Sequence, residues 1–346
     1  MKKVSIYQYL RGVVILLVLL GHSLYMAAGG DYGGFSYFDL IQGEEAMKAN
    51  NALQLFVDMI YGFHMPMFMM LSGAVYMYTR KEINTIREVG AFILKKAKRL
   101  LIPFVLVTVL WQIPLKYVSG YFTHGIKDAV FGQLLLFGNS HLWFIVVLFI
   151  IFVAVAFIEY LNISRVSILI AAVCFVAGFF VKGNMVFLSL QYGIWFFLGV
   201  VFEKYIRQRI EKGKLLPLKA ILALVVYVVV FLIGKRYFYE GFFQYGYTII
   251  TGIVGSLFII YVALLLEKIH WTIFEKIGNV SFDLYLYSDS INYVILFVFA
   301  TYFPKLYTSA TGVLSAYILR FLITLLGALI VGSLVKVVKK WIWRKA

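Results

Sequence analysis

The sequence predicts an all-α integral membrane protein of about ten transmembrane helices with both termini cytoplasmic. Three observations carry that expectation. Of 346 residues, 63% are hydrophobic and only 14% charged, against roughly 45–50% and 25% in soluble domains. Ten apolar segments can be drawn, at about 4–28, 53–78, 100–118, 141–159, 166–181, 186–203, 217–234, 246–266, 281–303 and 310–336, each close to the ~20 helical residues that cross a bilayer core. Ten crossings place 23 of the 32 Lys and Arg residues on the side of the termini, starting with Lys2 and Lys3 and including Arg165. Seven fall on the other side: Lys48, Lys116, Lys127, Lys182, Lys235, Arg236 and Lys305. The positive-inside rule then puts both termini in the cytoplasm.

The net charge of +16 is thereby mostly topology. No soluble basic module accompanies it, so the expected partner is the lipid bilayer and not nucleic acid. The single Cys174 lies in an apolar segment and supplies neither a disulfide framework nor a thiolate metal site, and no metal is expected. Lys2-Lys3, an apolar run and Met26-Ala27-Ala28 mimic a signal peptide. The run is long for a signal core, and the first helix is expected to be retained. Short loops and the lack of a repeat predict one domain over 1–346. The outer loop of about 29–52, with Asp31, Asp39, Glu44 and Glu45, either covers an acceptor site or simply connects helices.

The first helix carries two ionisable residues at membrane depth, Arg11 and His22. Each costs roughly 2.5–3.5 kcal/mol on insertion scales, so such groups mark function by default. Eleven residues advance about three full turns, which sets both on one stripe about 16 Å apart, with Gln8 beside Arg11. The plain alternative is a snorkelling arginine and a packing histidine. In the second segment, Pro66 removes a donor and predicts a bend beside His64. The surrounding methionines fill core space or offer soft surface to an acyl thioester.

The spacing arginine, ten residues, histidine, in the context Tyr9-Leu10-Arg11-Gly12 and Leu19-Leu20-Gly21-His22-Ser23, resembles the signature of the membrane acyltransferase-3 family. It looks most like the fucose 4-O-acetylase branch. His64, Pro66, Phe68 and Ser72-Gly73 resemble the family's second motif. Lys95-Lys96-Ala97-Lys98-Arg99 before Pro103, then His141-Leu142-Trp143-Phe144, then Gln191 to Gly199, follow in family-like order. Relatives often carry a histidine near the position of Ser288, and its absence here departs from the pattern.

The resemblance implies a membrane O-acyltransferase that takes an acyl group from cytoplasmic acyl-CoA, acetyl-CoA foremost, with no tightly bound cofactor. The acceptor would be a hydroxyl of a cell-surface glycan or lipid-linked sugar at a bacterial cytoplasmic membrane. His22 is assigned as general base, with His64 orienting the acceptor or stabilising the oxyanion. Arg11 is the donor contact. A covalent acyl-histidine or acyl-serine route is the chemical alternative.

Lys95, Lys96, Lys98 and Arg99 either clamp donor phosphates or only set topology. Arg320, deep in the last segment, is assigned to the donor; an ion pair with Asp283 or Asp289, or an acceptor carboxylate, would serve it equally. His141, Trp143, Asp283 and Asp289 are assigned to the acceptor, with Trp143 also suited to interfacial anchoring. Polar stripes Asp283, Tyr287, Ser290 and Tyr285, Ser288, Asn292 run along the ninth segment. The competing class is an exporter or flippase for polysaccharide or lipid-linked sugar, which moves substrate without consuming a donor.

Overall fold

The computed structural model describes residues 5–30, 33–122, 125, 130, 141–163, 166–180, 185–238 and 243–345. Lys2, Lys3, Asp31, Lys127, Arg165 and Lys182 lie outside them. In chain order, α1 (Ile6–Ser23) leads to a hairpin of β1 (Ala27–Gly30) and β2 (Gly33–Ser36), then α2 (Glu44–Tyr61) and α3 (His64–Thr79). Next, α4 (Ile86–Val107) runs through a π-helical turn, Thr108–Gln112, into α5 (Ile113–Val118). Then come α6 (Trp143–Tyr160), α7 (Ser167–Phe180) and α8 (Met185–Val201), the last followed by a second π-helical turn and α9 (Arg207–Glu211). The chain ends with α10 (Leu216–Tyr237), α11 (Phe243–Lys268), α12 (Thr272–Asn279), α13 (Ser281–Tyr302) and α14 (Ala310–Lys345).

Among the described residues, nine helical stretches are long and apolar enough to cross a membrane. Among the described residues every expected apolar segment contains a helix, the fifth being α7, whose 14 described residues cover about 21 Å at ~1.5 Å each. A boundary also differs from expectation. The helix expected from about residue 100 starts at Ile86, because Thr85 and Glu88 form a capping box. The Glu88 N–H donates to Thr85 Oγ1 at 3.3 Å, and the Thr85 N–H donates to the Glu88 carboxylate at 3.0 Å. In the second segment the break falls at Gly62-Phe63, just ahead of Pro66. Pro66 then sits in the first turn of α3, where its missing N–H would have had no helical partner.

The chain divides into two compact units. The first comprises Met1–Val14, Tyr61–Pro103 and Trp143–Gly278. Here α8 is central, lying against α3, α6 and α7, while α10 and α11 pair. The α3–α8 crossing depends on two glycines: a Cβ on Gly73 would collide with the Phe196 carbonyl, and one on Gly199 with that of Met70. Small residues let the two backbones touch, the way membrane helices gain packing energy without a hydrophobic drive. At one end of this unit the Ser5 hydroxyl donates to Glu267 and the Tyr7 hydroxyl to Glu203. Arg207 pairs there with Glu203 at 2.6 Å and Glu211 at 2.9 Å.

The second unit comprises Ile15–Ile60, Phe104–Leu142 and Asn279–Ala346. Its spine is the pair α13 and α14, with α5 and the first π-helical turn also against α13. The hairpin is fastened to the end of α5, since the Gly34 N–H donates to the Tyr121 carbonyl at 2.7 Å. Met26, Ile41, Leu296, Phe299, Tyr307 and Val313 close one end with an apolar cluster. Burial in both units is dominated by aliphatic and aromatic side chains, so the polar groups buried among them stand out chemically.

Candidate functional site

The second unit gathers a histidine from the last turn of α1, a histidine just before α6 and one carboxylate from α13. Asp289 is fully buried. Its Oδ1 lies 2.9 Å from Nδ1 of His22 and its Oδ2 lies 3.1 Å from Nδ1 of His141. Both are ion-pair contacts whose N–H directions miss hydrogen-bond geometry, leaving the two carboxylate oxygens and His22 Nδ1 without an aligned partner among the described residues. Catalytic hydrogen bonds are commonly loose before substrate arrives and tighten with it.

The two histidines are held differently. His141 is fixed through both nitrogens, because its Nε2 donates to the Tyr285 carbonyl at 3.1 Å while Nδ1 faces Asp289. The Tyr285 hydroxyl donates back to the His141 carbonyl. His22 meets Asp289 through Nδ1 alone and keeps 12% side-chain exposure. Its Nε2 is therefore the ring atom open to a reacting group. The His22 ring stacks on Tyr25 with centroids 5.1 Å apart.

Helix α13 supplies this geometry with one stripe, Tyr285, Asp289 and Asn292, at positions i, i+4 and i+7. Asn292 donates from Nδ2 to the His22 carbonyl at 2.7 Å and accepts from Arg320 Nε at 3.1 Å. Arg320 is only 2% exposed. Neither aspartate considered for it is its partner, since Asp283 pairs with Lys336 at 2.7 Å near the far end of α14. The π-helical turn Thr108–Gln112 contributes Trp111, whose Nε1 donates to the Tyr287 carbonyl at 3.2 Å; π-bulges recur at functional sites.

Lys116, counted on the outer side at the end of the third expected segment, lies in α5 and is 1% exposed. Its Nζ stands 4.3 Å from the Tyr121 ring centroid and 5.3 Å from that of Tyr293, within reach of the Asp289 charge. Burial, reinforced by Asp289, pushes the Tyr121 hydroxyl up from its ordinary value. Phe35 of the hairpin meets Tyr121 and Tyr293 edge-on, at 6.1 and 5.4 Å. Sequence reasoning missed this aromatic and cationic wall. The signal available was a lysine inside an otherwise apolar helix end.

The remaining expected site residues lie in the first unit. Arg11 bonds Gln8 at 3.3 Å, as the shared stripe predicts. The positive charge of Arg99 acts on it, and neither arginine has an acidic partner among the described residues. Lys96 turns inward, with Nζ 3.6 Å from the Phe152 ring centroid, whereas Lys95, Lys98 and Arg99 are exposed on α4. His64 is buried at the start of α3 against the Tyr61 ring, 4.7 Å between centroids. Trp143 packs on Tyr192 at 5.0 Å. Within its own unit His22 meets Asp289, while His64 belongs to the first unit. Among the described residues no group of three or more His, Cys, Asp or Glu forms a metal site.

A histidine set beside a buried carboxylate in a helical membrane protein is an arrangement that can take up and return a proton. The acyltransferase domain family matches residues 5–336. The chain belongs to that family, and it is a membrane acyltransferase. No curated protein and no solved structure matches it.

Proposed function

We propose that this acyltransferase moves an acyl group, acetyl foremost, from acyl-CoA to a hydroxyl of a cell-surface glycan or lipid-linked sugar. The single observation that carries the mechanism is the buried Asp289 carboxylate 2.9 Å from His22 Nδ1. It occupies the Nδ1 side of the ring and leaves Nε2 for the reactants, with the Nδ1 contact aligning into a hydrogen bond once they bind. The acceptor hydroxyl gives its proton to Nε2 while its oxygen adds to the thioester carbonyl. Collapse of the tetrahedral intermediate breaks the C–S bond, and the departing thiolate takes the proton back. Asp289 balances the charge on the imidazolium in between, as the carboxylate of a catalytic triad does.

Donor binding falls to the uncompensated cations of the first unit. Arg11 and Arg99 act on each other as like charges without an acid between them, an arrangement that favours an anion such as the phosphates of CoA. Lys95 and Lys98 extend that positive surface. The acceptor class rests on the likeness of the first-helix motif to the fucose 4-O-acetylase branch, and the basic bias of the loops supports donor use from the cytoplasmic side of a bacterial cell membrane.

The test is single-turnover transfer by purified protein. His22→Ala is expected to slow the chemical step about 10²-fold or more, the scale of general acid–base catalysis, while acyl-CoA still binds. Near-normal turnover in that variant would sink the mechanism. Net movement of acceptor without release of CoA thiol would instead identify an exporter.

A further inference from the structure

Within the acyl-transfer reading, on which this step rests, we propose that Arg320 is the acceptor's anchor and that it takes an anionic group, a carboxylate or a phosphate, carried by the acceptor. The guanidinium is buried, and its contacts do not use its charge. Nε donates to Asn292 Oδ1, and one terminal nitrogen lies 3.9 Å from Met26 Sδ. The other terminal nitrogen has no hydrogen-bond partner, and Arg320 forms no ion pair among the described residues. A buried guanidinium without a carboxylate is unfavourable, because its lost hydration is not replaced. An arriving anion would offset that cost with a charge-assisted, two-point contact.

Its position selects the acceptor over the donor. Arg320 is two hydrogen bonds from the His22 backbone, through Asn292. One turn earlier on α14, the Tyr317 hydroxyl donates to the Leu20 carbonyl at 3.0 Å. The guanidinium is therefore level with the last turn of α1, where the acceptor hydroxyl must meet the thioester. Donor phosphates lie a pantetheine arm away from that carbon.

Met26 and Tyr307 lie against Arg320. Met26 is a flexible side chain between α1 and the hairpin, and Tyr307 belongs to the short 3-10 helix Pro304–Thr308. The Tyr307 hydroxyl lies beside the guanidinium without a bond of good geometry. Burial pushes that hydroxyl up, opposed by the Arg320 charge.

The experiment uses the purified full chain with acetyl-CoA and three acceptors: methyl glucoside, methyl glucuronoside and methyl glucoside 6-phosphate. Thiol release and kcat/KM are measured for each. The wild type is expected to prefer at least one anionic acceptor over the neutral one by about tenfold or more, as for hydrogen bonds to charged groups. Which anion is preferred distinguishes carboxylate from phosphate. In Arg320→Gln the anionic-to-neutral ratio should fall to near one, and in Arg320→Lys it should fall part of the way. Equal use of all three by the wild type, an unchanged ratio in Arg320→Gln, or a uniform fall across acceptors overturns the proposal; the last would leave Arg320 holding the His22 backbone only. Free glucuronate or inorganic phosphate should also inhibit the wild type competitively against acceptor and not against donor, a readout independent of variant folding. Acyl transfer to none of the three would count against the O-acyltransfer reading itself, and the anion anchor would fall with it.

Discussion

The Asp289 carboxylate stands between two imidazoles and is 2.9 Å from the one that keeps an open nitrogen, His22. Asp289→Asn preserves the shape and removes the charge. The expected result is a fall in kcat of about 10²-fold or more with donor binding retained, because an amide neither fixes the same ring orientation nor balances an imidazolium. A change confined to KM would show that Asp289 holds acceptor only.

A double-mutant cycle separates the two partners considered for His22. His22→Ala and Asp289→Asn should be strongly non-additive, since either change disables the same proton transfer. His22→Ala and His64→Ala should combine additively in the chemical step. Strong coupling to His64, measured on folded protein, would restore it as the partner.

Arg11→Ala should weaken acyl-CoA binding, measured directly by titration, by about tenfold, the scale of a charge-assisted hydrogen bond. Arg11→Lys should recover part of the loss, because a point charge does not reproduce a planar fork. Unaltered donor affinity in Arg11→Ala would remove this residue from the donor site.

Membrane topology follows from loop charge and can be read by labelling single cysteines in a Cys174→Ala background. A cysteine at Glu211 should react from the cytoplasmic side and one at Glu44 from the outer side. Ser5, Tyr7, Glu203 and Glu211 share one end of the first unit, which requires an even number of crossings between Ser5 and Glu203. The segment of α7 would then count as a crossing, and labelling of both positions from one side would show that it does not.

The membrane class, the helical segments and the stripe joining Gln8 to Arg11 were legible because hydropathy and helical period are local properties. His22 and His141 were legible as polar residues in an apolar setting. The role of Asp289 was not. The stripe Tyr285, Ser288 and Asn292 holds two residues of the site face but puts Ser288 where the adjacent Asp289 acts, the stripe Asp283, Tyr287 and Ser290 runs beside it, and only the packing of α13 decides between them. The same holds for Arg320, whose partner is an amide on α13 and neither of the aspartates. The capping box at Thr85 was visible in the sequence, yet the basic residues behind it read as a loop because charge masked helix propensity.

That helical start has an engineering consequence. Lys95, Lys98 and Arg99 share a rigid backbone with the apolar part of α4, so their directions are locked to it. An anion landing there orders side chains only, at about 0.5–1.5 kcal/mol each. A loop could absorb an inserted residue, whereas one insertion between Lys95 and Arg99 would turn Lys95 by ~100° relative to Arg99. On the proposed donor role, an insertion within this short run should therefore weaken acyl-CoA binding, because it changes the spacing of the cations along one helix face.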